Sequence, residues 1–425
     1  MARPRRCVSA VLAAMLAATT LAACTGSGGD STRPTPPGSK PATTTTTAKG
    51  PTSVVDWEHG EPSWSPTMAN AHGLLVGNGY WCTGTCATSH ALRAPDGFGD
   101  PPSVMAVDVN DAGMIVGTIS GLGKRQATVW RSPSADPIAL KPLAGYDDVE
   151  ARAISETGLL FGGARKHGEP RTRAIVWTTP TAAPTVLPVP DPTANSVPFD
   201  VSVDGTMVGM IQRPLAQEST FVVWATPTSA AKPLATPAGY TGARVSTRNA
   251  GSSIVVGSGT GSDGTSHALV WTDPAETPVV LDMPPGLTDV SAIKGAGRDL
   301  VIGGGTRPDG SIEPLAWRLP STAPQVVKLP EGYSNAWLDD VNDAGTIVGI
   351  GIDATGRAHG IVWKSSSAEP RILGSPAAFG DVQGVTVTDN GMILGAAQRT
   401  RTEIRGPVRG LIWTSPTQSP RVIMK

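Results

Sequence analysis

The chain is short of two things that a large folded domain ordinarily has in quantity: aromatic side chains and charge. Aromatics make up 5% and charged residues 16% of its 425 positions. Lys plus Arg (34) almost balances Asp plus Glu (35), for a formal net charge of −1. No overall field of one sign exists to gather a polyanion such as nucleic acid. Cysteine is scarce, at four, and no Cys/His cluster has zinc spacing. Beyond residue 23 no apolar run reaches the ~18 residues that suggest a membrane helix, and no stretch keeps the i, i+3, i+4, i+7 spacing of an amphipathic one. Long helices are thereby excluded. What is plentiful is glycine (50) and proline (39), which suit many short strands joined by turns.

The first residues read as an export signal. Arg3, Arg5 and Arg6 precede an apolar stretch from Val8 to Leu21, too short for a comfortable membrane span. The stretch ends in Leu21-Ala22-Ala23-Cys24, which resembles the lipobox of bacterial lipoproteins. That resemblance implies cleavage before Cys24 and acylation of its thiol, so that the lipid anchor is the membrane partner. An ordinary secretory signal is the alternative. Residues 25–53 contain no Leu, Ile, Val or aromatic residue. Such a segment cannot bury enough surface to offset its ordering entropy and is expected to stay disordered. Thr43 to Thr47 within it either carry sugars or serve as a bare spacer. The expected layout is a signal over 1–23, lipidated Cys24 with a linker to 53, and a folded domain over 54–425, tethered to the outer face of the cell membrane.

The folded part repeats itself. "VNDAGMIVGT" begins at Val109 and "VNDAGTIVGI" at Val341. Aligning on the turn glycine gives Gly73, Gly113, Gly158, Gly205, Gly251, Gly297, Gly345 and Gly391, spaced 40 to 48 residues apart. A second series, Trp130, Trp177, Trp224, Trp271, Trp317, Trp363 and Trp413, keeps step with it at 46 to 50. Each unit reads as four short strands: an alternating one, a turn ending in Gly, one like "MIVGT", a connection of about ten residues, one ending in "VW", and one after a Pro-containing turn. Four antiparallel strands at this period predict an all-β propeller. Eight blades is the expectation, with seven as the alternative. A β-helix or stacked sandwich is the competing architecture. One buried Trp per blade supplies the contact that must recur around the ring.

The first unit departs from the pattern. Asp111 follows Arg93 by only 18 positions, against about 26 elsewhere, which predicts that this unit lacks its fourth strand. Residues 52–57, "TSVVDW", read as a strand supplied from upstream to complete the ring. The tripeptides His90-Ala91-Leu92, His267-Ala268-Leu269 and His359-Gly360-Ile361 resemble the HAF repeat of bacterial secreted proteins, although the Phe is absent from all three. The resemblance implies an extracellular, propeller-like protein and carries no catalytic residues with it.

Chemistry-bearing motifs are few. Three histidines at one repeat position suggest a structural role. Gly259 to Gly264 match G-x-G-x-x-G, but they connect two strands and no helix follows to receive a pyrophosphate. No G-x-S-x-G or sialidase-type Asp box occurs, and the Asp-rich turns at 108–113 and 340–345 place Ala112 and Ala344 where a calcium loop needs an oxygen ligand. No catalytic residue, metal or cofactor is expected. Cys82 and Cys86 flank Thr-Gly-Thr and are most simply a disulfide in an oxidising compartment, with free thiols or a metal site as alternatives.

Function is expected from the connections between second and third strands, which share one face of a propeller. Lys124, Arg125, Arg165, Lys166, Arg171, Arg173, Arg399, Arg401, Arg405 and Arg409 fall there in units two, three and eight, and with their acidic neighbours units eight, one, two and three carry a net +8. Tyr80 and Trp81 are expected inside that arc as an aromatic platform. A basic crescent of this kind suits an anionic envelope polymer or an acidic protein. The expected function is therefore a tethered binding or scaffolding module, not an enzyme and not a nucleic-acid binder. An envelope hydrolase or lyase is the alternative, and its signature is a cluster of carboxylates, or a His/carboxylate pair, at the propeller centre.

Overall fold

A computed structural model describes residues 68–422 apart from 78, 85, 87, 101, 202–204, 214–218, 247–253, 275, 376–378, 400–407 and 416–418. The signal, Cys24, the linker and the strand expected at 52–57 lie outside the described residues. The described residues form eight four-stranded antiparallel sheets arranged as the blades of a propeller and contain no helix. In every blade the four strands are consecutive in the chain. Blade 2 shows the plan: Ser103–Val109, Ile115–Gly121, Lys124–Trp130 and Ile138–Ala139, running from the inner to the outer edge. Blades 3 to 8 start at Asp148, Asn195, Ala243, Asp289, Tyr333 and Phe379.

The recurring phrase is a stitch between blades. Gly113 ends the first turn at φ 78°, a left-handed conformation that other residues adopt only with strain. In that turn the Asn110 side-chain amide donates to the Ser155 carbonyl of blade 3 (3.1 Å), and the Asp111 N–H donates to Glu156 (2.8 Å). Asp108 accepts from the Ile154 N–H of the same neighbour at 2.9 Å. Blade 7 repeats the pattern toward blade 8: Asn342 donates to the Thr388 carbonyl (2.9 Å) and Asp340 accepts from the Val387 N–H (3.0 Å). Burying these polar groups is affordable only because each finds a partner.

Tryptophan makes the second stitch. All seven VW-type tryptophans are 0–1% exposed. Each indole N–H donates to a backbone carbonyl of the preceding blade's outer edge, from Trp130 to Arg93 (2.8 Å) through Trp413 to Gly374 (2.7 Å). The second-strand glycines of blades 2 to 4 and 6 to 8 have their own cause. A bulge in the first strand swings its backbone over the second, so a Cβ at Gly209 would sit 2.5 Å from the Val197 carbonyl and 2.8 Å from the Trp224 ring.

Blade 1 corrects the sequence reading. It has all four strands, Met68–Ala69, Leu74–Gly77, Tyr80–Thr83 and His90–Ala91. What is short is the second and third strands themselves, four residues each against seven each in blade 2. His90 therefore lies on the fourth strand and does not share the repeat position of His267 and His359, which open third strands. The ring closes where Leu75, Cys82 and Cys86 of blade 1 pack on Leu394 and Ile412 of blade 8.

Candidate functional site

Antiparallel order sends two kinds of connection to one end of the ring: those between second and third strands, and those leading to the next blade. We call this end the 2–3 face. Lys124 and Arg125 open the third strand of blade 2, Arg165 ends the second strand of blade 3, Lys166 and Arg171 lie in the connection after it, and Arg173 is the second residue of the next strand. All six are on this face. Arg399 and Arg409 lie on strands of blade 8 at the same end. Their side chains, and the whole of Arg401 and Arg405, are outside the described residues.

The cations are not bare. Arg125 of blade 2 reaches across to Glu150 (3.0 Å) and Asp148 (3.5 Å) of blade 3. Arg165 pairs with the same Asp148, and Arg152 with Glu150. The hydrogen bond from Arg165 to Asp148 raises the guanidinium pKa further. Glu169 takes Arg171 at 3.3 Å and Lys166 at 4.0 Å, and the Lys166 ammonium lies 5.4 Å from the centre of the Tyr146 ring. Arg173 donates to the Pro192 carbonyl. The face of blades 2 and 3 is thus a mixed-charge network, less positive than its connections alone suggest. Asp148, Glu150 and Arg152 stand on a first strand, and the same alternation brings the start of that strand to this face. The participating side chains are 26–48% exposed. Pairs of this kind are each worth about 0.2–1 kcal/mol, so an incoming anion can replace a carboxylate at small cost.

Tyr80 and Trp81 do not form one platform. They are neighbours on a strand and point to opposite sides of the sheet. Trp81 packs toward blade 2 and stacks on His90, with centroids 4.7 Å apart, while Tyr80 packs toward Met392 and Leu394 of blade 8. Cys82 and Cys86 are joined, with Cα atoms 5.2 Å apart. Their bridge pins the connection between third and fourth strands, at the end of the ring opposite the 2–3 face.

Blades 5 and 7 share a second constellation on the 2–3 face. His267 Nε2 lies 2.7 Å from the Thr265 hydroxyl and its ring meets Tyr240 edge-on at 5.5 Å. His359 Nε2 lies 2.8 Å from Asp353 and meets Tyr333 edge-on at 5.9 Å. The Thr355 hydroxyl and the Arg357 N–H hold Asp353 far below the usual carboxylate range. These rings brace their loops. Among the described residues no group of three or more His, Cys, Asp and Glu could hold a metal.

A carboxylate pair does occur on the innermost strand of blade 7. Asp340 is buried and takes the Lys294 ammonium from blade 6 and the Thr386 hydroxyl from blade 8, besides two backbone N–H groups. Its half-buried neighbour Asp339 accepts the Val385 N–H at 3.1 Å. Desolvation, reinforced by the adjacent Asp340 charge, raises its pKa to about 7. One repeat position thereby links three consecutive blades through Lys294, Asp340 and Thr386. Nothing local marks this in sequence; only the repeat register aligns the three residues.

No known family's sequence profile matches the chain, and no curated protein matches it in sequence. Among solved structures it is similar to one of two prolyl endopeptidases studied for inter-domain dynamics (TM-score 0.50, 13% identity, covering 80% of this chain and 55% of that one). A post-proline cleaving enzyme from Rickettsia typhi is matched with a TM-score of 0.48 at 11% identity, over 74% of this chain and 52% of the enzyme. The β-propeller domain of the trilobed protease from Pyrococcus furiosus is matched with a TM-score of 0.45 at 8% identity, over 77% of this chain and 99% of the domain. The chain spans about half the length of the two peptidases. At such identities the likeness is one of fold.

Proposed function

We propose that the protein is an extracytoplasmic binding module. In this reading an acylated Cys24 holds it on the outer face of the cell membrane, and the 2–3 face receives an anionic envelope polymer or an acidic protein. The supporting observation is a division of labour among residues. Those that recur from blade to blade build the frame: the tryptophans and turn asparagines hold neighbouring blades together, and the second-strand glycines let strands approach closely within a blade. Those that differ between blades, including the cations of blades 2 and 3, collect on one accessible face. A ring built in this way is a frame, and its asymmetry lies where a partner would meet it.

Two measurements test the reading. Binding of purified anionic wall polymer should fall steeply between low and high salt, as expected for partly exposed charges, and should fall again when Arg165 and Arg171 are changed to Glu. Equal binding by the parent and the double variant overturns the recognition claim. Cys24→Ser should release the protein from membranes or leave it unprocessed, and unchanged partitioning into detergent overturns the anchor.

A second reading, an envelope hydrolase, has the Asp339–Asp340 pair in its favour, since a carboxyl titrating near neutrality suits acid–base work. Against it, Asp340 is fully engaged in joining blades. Turnover of an envelope substrate that is lost in Asp339→Asn, with the ring intact, would favour this second reading.

A further inference from the structure

Blade 2 ends on the 2–3 face in a two-residue hairpin. Gly121 pairs with Lys124, and between them Leu122 and Gly123 have φ of 49° and 74°. A turn with both central residues left-handed favours Asn, Asp or Gly at the first of them, because a larger side chain crowds the backbone there. Leucine stands there instead. No burial compensates, for Leu122 is 75% exposed, the highest value among the exposed large apolar side chains of the described residues. The tip is also held in place. A Cβ on Gly121 would collide with the Phe98 carbonyl, and Leu122 Cγ would lie 3.6 Å from a Cβ on Gly99, so the hairpin rests directly on residues 98–99. An apolar side chain presented at a cost in both conformation and hydration is evidence of a role outside the fold.

The surroundings indicate what it meets. Lys124 follows the tip and is exposed, and Arg125 comes next with 40% of its side chain accessible, its charge shared with Glu150 and Asp148 of blade 3. A convex apolar point beside cations fits a deformable anionic surface; a rigid protein would need a matching pocket. We propose that the Leu122 tip, flanked by Lys124 and Arg125, inserts into an anionic lipid surface and seats the 2–3 face of blade 2 against the membrane. This rests on the tethered reading above. One leucine and two cations bind weakly alone, but a chain already anchored nearby sees an effective concentration on the order of millimolar.

The test uses the full chain carrying Cys24→Ser, so that no acyl group contributes. At low salt it should co-sediment with vesicles containing phosphatidylglycerol and not with phosphatidylcholine alone. Leu122→Asp should weaken this by about tenfold, the value of one lost apolar side chain. Lys124→Glu should weaken it by roughly fivefold or more. Leu122→Asn restores a residue the turn prefers, so it should raise the thermal midpoint while losing vesicle binding, which separates docking from folding. Vesicle binding that is absent, or equal in the parent and Leu122→Asp, overturns the proposal. So does a Leu122-dependent cross-link to an envelope protein when vesicles are not bound. Membrane fractionation of the acylated chain alongside failed vesicle binding removes the docking and leaves the tether. The converse result, vesicle binding with fractionation indifferent to Cys24→Ser, removes the tether and leaves the docking.

Discussion

At the scale of single residues, Asp339 shows how a propeller can store a pH dependence in its inner wall. Its carboxyl is desolvated and sits beside Asp340, and the Val385 N–H only partly offsets this. The sign follows from linkage. With a folded pKa of about 7 against an ordinary value of 3.8, the native ring binds this proton more tightly than the unfolded chain does. Its contribution to stability is therefore full below pH ~4 and is lost as pH rises through ~7. The loss is at most about 4 kcal/mol, taking 1.36 kcal/mol per unit, and solvent contact reduces it. Asp339→Asn keeps the shape and the acceptor for Val385 but cannot ionise. Urea unfolding at pH 5 and pH 8 should show a smaller pH difference in the variant, with the variant the more stable at pH 8. An unchanged pH slope would show that Asp339 titrates as an ordinary surface carboxyl.

At the scale of the strand, two signals made the fold legible: a turn glycine and a strand-ending tryptophan in step. Both report features that recur from blade to blade, the glycine eight times and the tryptophan in the seven blades after the first. Blade 1 departs from the expectation of a missing fourth strand because all four strands are present while the second and third are only four residues long. A count of residues between landmarks cannot tell a missing strand from shortened ones. The candidate site was legible only in part. Cations around the second and third strands are visible, but Asp148 and Glu150 stand on a first strand, and nothing local in the sequence shows that they offset those cations. Tyr80 and Trp81 were adjacent in sequence and so looked like one surface, although a strand sends them apart. Leu122 could have been found, since a Leu-Gly pair replacing Asn-Gly in a two-residue hairpin is a local anomaly. The tryptophan contact also sets a magnitude. Trp224 is fully buried and its N–H is bonded to the Pro188 carbonyl at 2.7 Å. Trp224→Ala should cost about 3–5 kcal/mol, read as a lower urea midpoint, whereas a loss under 1 kcal/mol would mean the seam between blades 3 and 4 is held by its aliphatic residues.

At the scale of the whole ring, the question is how eight seams are closed by seven tryptophans. Each indole serves the seam with the preceding blade, from blades 1 and 2 (Trp130) to blades 7 and 8 (Trp413). Among the described residues the seam between blade 8 and blade 1 has none, because Thr83 pairs with Leu74 where Trp130 pairs with Ile115. Nor, among the described residues, is any strand shared across it. In that place stand Cys82 and Cys86, 0% and 4% exposed, packed with Leu75 against Leu394 and Ile412. The bridge closes a very short loop, so chain entropy alone gives it about 2 kcal/mol. It does locally what an indole does elsewhere: it fixes the end of the third strand so that its apolar side can meet the next blade. Peptide mapping without reductant should find the two cysteines in one linked peptide. Changing both to Ala should then raise hydrogen exchange first in Leu74–Gly77 and Tyr80–Thr83 of blade 1 and in Ile393–Arg399 of blade 8, with blades 4 to 6 left as protected as before. Exchange that rises evenly around the ring, or not at all, would mean that the last seam is closed by something other than this bridge.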